Sequence, residues 1–121
     1  MKLYWLAAVL LLAGCGSEAP VPQPSAEAAA LPAPQGPEVR ILALGDSLFA
    51  GYGLDPGQSY PARLESALRG RGINARIANA GVSGDTTAGG LQRLEFTLNG
   101  QAKAPELVII SLGGNDMLRG I

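Results

Sequence analysis

A chain of 121 residues with nine Lys and Arg, ten Asp and Glu, one Cys and no His has room for at most one domain of ordinary size. Its formal net charge of −1 leaves no basic footprint for nucleic acid, its lone thiol closes no internal disulfide, and one Cys without His builds no structural zinc site. Nor does it contain imidazole, the commonest general base for a Ser or Cys nucleophile because its pKa of about 6.5 lies near working pH.

Lys2 precedes a ten-residue apolar run, Leu3 to Leu12, followed by small residues, which is the layout of a secretory signal peptide over residues 1–14. The run is too short to span a bilayer, which takes about 20 apolar residues. Behind it, Leu12-Ala13-Gly14-Cys15 resembles the lipobox of bacterial lipoproteins. That resemblance implies diacylglyceryl attachment to the Cys15 sulfur and cleavage before it, hence an exported protein anchored by lipid and facing the periplasm or cell surface. Two or more acyl chains anchor stably where one does not. Gly16, rather than Asp, follows the cysteine, which favours the outer membrane if the host has one. The bland alternative is ordinary secretion, with Cys15 incidental.

Gly16 to Pro37 holds six Pro and six Ala in 22 residues without an aromatic side chain, so residues 15–37 are expected to form a lipidated tether. Extended as polyproline at about 3.1 Å per residue, the tether reaches roughly 70 Å from a lipid surface. Much of the 47% hydrophobic content and of the positive mean hydropathy sits in the leader, so neither marks a membrane-embedded domain.

Residues 38–121 alternate short strands with helical stretches, the order of parallel β-α-β units. Val39 to Leu44 is almost continuously apolar apart from Arg40, as in a strand covered on both faces. Ser59 is a helix cap with Pro61 in the first turn, and Tyr60, Leu64, Ala67 and Leu68 repeat at helical spacing until Gly70 and Gly72. Ile73 to Asn79 alternates in the manner of an edge strand. Asp85, Thr86 or Thr87 caps a second helix that carries Leu91, Leu94 and Leu98 on one face and ends at Asn99-Gly100. Leu107 to Leu112 is the third strand, apolar enough to expect neighbours on both sides.

Each strand runs into a small polar loop: Gly45-Asp46-Ser47, then Asn79 through Asp85, then Gly113-Gly114-Asn115-Asp116. Ligands of open parallel sheets bind at the carboxyl ends of strands, which puts all three loops on the functional edge. Any one of them alone is an ordinary turn or helix cap. A phosphate cradle is not supported, because no Gly-x-x-x-x-Gly-Lys-Ser/Thr run exists and Pro56 breaks the Gly-x-Gly-x-x-Gly pattern begun by Gly51 and Gly53. The Gly-x-Ser-x-Gly elbow fails too, since Phe49 follows Gly45-Asp46-Ser47-Leu48.

Residues 39 to 121 resemble the SGNH or GDSL hydrolases, and among them the bacterial thioesterase, lysophospholipase and arylesterase branch. The resemblance rests on three blocks in order: Gly45-Asp46-Ser47-Leu48 with Ala50-Gly51-Tyr52, Asn79-Ala80-Gly81-Val82-Ser83-Gly84-Asp85-Thr86-Thr87, and Leu112-Gly113-Gly114-Asn115-Asp116. It implies Ser47 as nucleophile and an oxyanion hole made of the Ser47 N–H, the Gly84 N–H and the Asn115 side-chain amide. Preset donors near 2.8 Å stabilise the charge that acyl transfer builds on a carbonyl oxygen, each by roughly 3 kcal/mol. Asp46, Asp85 and Asp116 are expected to be loop-shaping acceptors. No metal or cofactor is implied, and the substrates implied are acyl esters or thioesters.

The same family ends in a block with Asp and His three residues apart, and this block is not found up to Ile121. The expectation is therefore the N-terminal half of a flavodoxin-like three-layer α/β/α domain, with about three parallel strands in the order two, one, three and two helices. The chain then reads as a C-terminally truncated lipoprotein enzyme, keeping at best the residual acceleration of about 10³ to 10⁴ that positioning and an oxyanion hole supply. The alternative is a lipid-anchored, non-catalytic binding or remnant protein using the same loops.

Overall fold

A computed structural model describes residues 33–121. The leader 1–14, Cys15 and all but the last residues of the tether lie outside the described residues. The elements in chain order are β1 (Gln35–Gly45), α1 (Ser47–Ala50), α2 (Tyr60–Gly70), β2 (Ile73–Gly81), α3 (Thr87–Asn99), β3 (Leu107–Ser111) and α4 (Gly114–Arg119). The three strands form one parallel sheet in the order β2-β1-β3, as the β-α-β pattern requires.

The most apolar strand takes the centre. Ile41, Leu42, Ala43 and Leu44 of β1 are buried, and with Phe49 and Ala75 they make the core. Register fixes which side chains share a face, because successive residues of a strand point to opposite sides. Leu44 pairs with Ile110, and both line an apolar groove with Leu91 and Leu94 of α3. Asn79 is level with Ala43 on the other face, where its Nδ2 donates to the Phe49 carbonyl at 2.7 Å. Helices α3 and α1 thus cover opposite faces, which gives the three layers.

Caps follow the sequence signals. Ser59 Oγ accepts from the Ala62 N–H, with Pro61 in the first turn of α2. Of the three candidates for capping α3, Thr86 does so, accepting from the Gly89 N–H at 3.1 Å. The packed stripe of α3 is rotated from the expected one. Leu94 and Leu98 are half-buried, but Leu91 is 72% exposed, and Gly90, Arg93 and Thr97 take the inward positions. Gly90 lets the helix settle directly on Leu112, where an added Cβ would collide with the Leu112 Cδ1.

Three further differences have physical causes. β1 begins at Gln35, inside the stretch assigned to the tether, because Gln35 pairs with Ile73 and Asn74 Nδ2 donates to the Gly36 carbonyl. Pro37 is tolerated there because the register shifts between Gln35 and Val39, so no ladder bond is asked of it. α1 and α4 are helices too short for periodicity to reveal. Among the described residues β3 pairs only with β1, and Leu107 and Ile110 are exposed rather than flanked on both sides.

The outer edge of β2 is handled differently. Glu65 of α2 accepts the Ile77 N–H at 2.6 Å, and Arg69 Nη1 donates to the Ala75 carbonyl at 3.0 Å. These side chains occupy backbone groups that an adjoining strand would use. On the opposite side Arg40 pins the start of β3: its backbone N–H and Nη2 donate to the two Glu106 carboxylate oxygens at 2.6 and 2.8 Å. The bond from the Arg40 backbone N–H, joined by the Glu106 backbone N–H and the Arg40 charge, holds the Glu106 carboxyl below its ordinary pKa.

Candidate active site

Equal register brings the three strand ends level: Gly45 pairs with Gly81 on one side and Ser111 on the other. The loops that follow therefore leave the sheet at one edge, and they are bonded to each other. The Asp46 N–H donates to the Ser111 carbonyl at 3.2 Å, and the Val82 N–H to the Gly45 carbonyl at 2.9 Å.

Ser47 is the first residue of α1. Asp46 is its N-cap, accepting the Leu48 N–H at 3.0 Å while buried to 4% exposure. The Ser47 N–H thus belongs to the first turn of a helix, whose amides have no intrahelical acceptor. α1 is pressed tightly onto the end of β2. A Cβ on Gly81 would overlap the Ala50 nitrogen and the Phe49 carbonyl carbon, so only glycine lets the serine-bearing turn sit there. Asn79 completes the junction, its Oδ1 accepting the Gly81 N–H at 2.9 Å.

Gly84 lies in the turn from Val82 to Asp85, closed by the Asp85 N–H on the Val82 carbonyl at 3.1 Å. Its φ of +82° is in the left-handed region that favours glycine. Asn115 stands in the first turn of α4, and its Nδ2 donates to the Asp85 carbonyl at 2.8 Å. An amide nitrogen carries two donors, so the bond to Asp85 leaves one for a ligand. The structure brings Gly84 and Asn115 together through Asp85 and ties Ser47 to both through Gly45 and Ser111.

The three aspartates shape the loops as expected. Asp85 receives Arg93 Nε at 2.7 Å. Asp116 receives the Thr87 N–H at 2.9 Å and the Thr87 hydroxyl at 2.5 Å, which lower its carboxyl pKa, the hydroxyl bond having the largest effect. Asp46 also approaches the third loop: its Oδ2 lies 3.5 Å from where a Gly114 Cβ would stand.

Two arginines escaped the sequence analysis. Arg119 Nη2 donates to the Gly84 carbonyl at 2.9 Å. Arg93 donates in three directions, through Nε to Asp85, through Nη1 to the Ala80 carbonyl at 2.9 Å and through Nη2 to the Gly45 carbonyl at 3.0 Å. Its signal was a cation at helical spacing with Gly90 and Thr97, beside the leucine stripe of α3.

A parallel sheet in this order, with its strand-end loops laced into one polar edge, defines an α/β protein of the SGNH-hydrolase type. The model of the GDSL-like lipase/acylhydrolase family matches residues 43–121, and the chain belongs to that family. It is 48% identical over 81 residues to the esterase TesA of Pseudomonas aeruginosa, covering 67% of this chain and 39% of the relative. It is 46% identical over 81 residues to an arylesterase of Vibrio mimicus, covering 67% and 40%. Among solved structures, AlinE4, an SGNH-hydrolase family esterase, superposes with a TM-score of 0.69 at 69% identity, over 72% of this chain and 46% of that one. The chain thus spans about two fifths of the length of these curated relatives.

Proposed function

We propose that this chain carries the nucleophile and oxyanion hole of a serine hydrolase acting on carboxylic esters or thioesters. The observation that carries the reading is the meeting of three loops, bearing Ser47, Gly84 and Asn115, at the carboxyl edge of one parallel sheet. The relatives' names, esterase, arylesterase and thioesterase 1/protease 1/lysophospholipase L1, support the same substrate class.

In this mechanism the Ser47 hydroxyl oxygen attacks the acyl carbon and gives its proton to a base. The carbonyl oxygen gains the charge, and the Ser47 N–H, the Gly84 N–H and the second Asn115 N–H donate to it. Collapse expels the alcohol or thiol, which takes the proton, and leaves an acyl group on Ser47. Water then attacks that acyl group by the same route and releases the acid. The sequence holds no His, and in this reading the base is the His of the Asp-x-x-His block that the family resemblance implies, the chain spanning 39% and 40% of two of its relatives. Without that block, turnover stays at the residual level of an oxyanion hole.

A fluorophosphonate probe tests the reading on the chain extended over the length of its relatives. Adduct mapping to Ser47, lost in Ser47→Ala, is expected. No labelling in the extended chain would favour the non-catalytic, lipid-anchored alternative. Reading the gene past the Ile121 codon tests the base: an immediate stop, with no Asp-x-x-His downstream in any frame, refutes its placement. The leader and Cys15 add to this proposal a lipid anchor facing the periplasm or cell surface, with the outer membrane favoured if the host has one.

A further inference from the structure

We propose that Arg93 is a positioning residue that sets the separation between the Ser47 turn and the Gly84 turn, an inference that rests on the hydrolase reading above. The Gly45 carbonyl is the shared anchor. It accepts the Val82 N–H at the start of the Gly84 turn, and through the Arg93 guanidinium it is also joined to Asp85 at the turn's end. With the first link alone, only the Val82 end of the turn is bonded to Gly45, while its Gly84–Asp85 end is held to α4 by Asn115 and Arg119. The second link fixes both ends to the residue two places before Ser47, and the bond from Nη1 to the Ala80 carbonyl holds the guanidinium plane against β2.

Only arginine suits the position. Its planar fork reaches three acceptors in different directions at once, whereas an ammonium is a point charge on a flexible stem. Arg93 and Asp85 side chains are 22% and 11% exposed, so the pair is shielded and its charges are matched. The guanidinium therefore supplies geometry to the oxyanion hole rather than net positive charge. One turn further on, the Thr97 hydroxyl donates to the Arg93 carbonyl at 2.7 Å. A displacement of about 1 Å in such a site lowers rate by about 10²-fold.

The test uses the extended enzyme, with p-nitrophenyl butyrate as substrate and phosphonate titration to count competent sites. Wild type and Ser47→Ala come first. Wild-type hydrolysis unaffected by Ser47→Ala overturns the hydrolase reading and this proposal with it, before any Arg93 variant is made. Given Ser47-dependent turnover, Arg93→Met is expected to lower kcat per titrated site by about 10- to 100-fold with KM within about three-fold. Arg93→Lys is expected to fall in the same direction, and it decides the matter if Arg93→Met does not fold. A kcat per titrated site within about three-fold of wild type, or a loss confined to KM, overturns the positioning role and leaves the hydrolase reading intact.

Discussion

Asn115 has two tasks for one amide, and Asn115→Ala separates them. One Nδ2 hydrogen holds the Asp85 carbonyl at 2.8 Å; the other is assigned to the oxyanion. A half-buried neutral hydrogen bond of that kind contributes about 1 kcal/mol to stability, which lowers Tm by about 2–4 °C in an enzyme of 150–250 residues. Removing an oxyanion donor costs far more in rate, about 10²–10³ in kcat or about 3–4 kcal/mol of barrier. Asn115→Asp is expected to be at least as slow, because a carboxylate donates nothing and repels both the Asp85 carbonyl and the developing charge. Steady-state kinetics of the extended enzyme on p-nitrophenyl butyrate, with calorimetric melts of each variant, measure both effects. If kcat for Asn115→Ala stays within about three-fold of wild type while Tm falls, Asn115 is a loop tie and the donor assignment is wrong.

Other outcomes are expected elsewhere in the molecule. Gly81→Ala drives a methyl group into the backbone of Ala50 and Phe49; the loss should be about 3 kcal/mol or more by urea denaturation, since backbone yields less readily than a side chain. A neutral effect there would mean that α1 is not seated on β2. The folded pKa of Asp116 is depressed by Thr87, so its contribution to stability is present above the unfolded value of about 4 and is lost as pH falls through the folded one. Urea midpoints on either side of pH 4 should accordingly shift less for Asp116→Asn than for wild type, and an equal shift contradicts the Thr87 contact. Cys15→Ala should change both membrane association and the mass of the mature protein; if both stay unchanged, the lipobox reading is wrong.

The sheet was legible because its signal is local. An apolar run flanked by Gly and Asp specified β1, and the alternation from Ile73 to Asn79 specified an edge strand, which β2 is among the described residues. Ser59 was read correctly as a cap because the serine and Pro61 stand next to each other in sequence. The loops were legible as three separate motifs, but not as one site. Their joining depends on partners distant in sequence, such as Asn115 with Asp85 or Arg93 with Gly45, and no periodicity encodes such pairs. Leu91 misled for a related reason. Leucine spacing marks an apolar stripe, whereas the inward stripe of α3 was set by a glycine able to sit on Leu112 and an arginine able to reach three acceptors.

Glu65 and Arg69 give the sheet a direction of growth. By occupying the Ile77 N–H and the Ala75 carbonyl, they close one border to further main-chain pairing. The border along β3 has no such guard among the described residues, and its Leu107 and Ile110 remain exposed. A strand recruited to this sheet, from the same polypeptide or another, is therefore steered to one side of it, and the polarity of assembly is written into two side chains of α2 that stand apart from Ser47, Gly84 and Asn115.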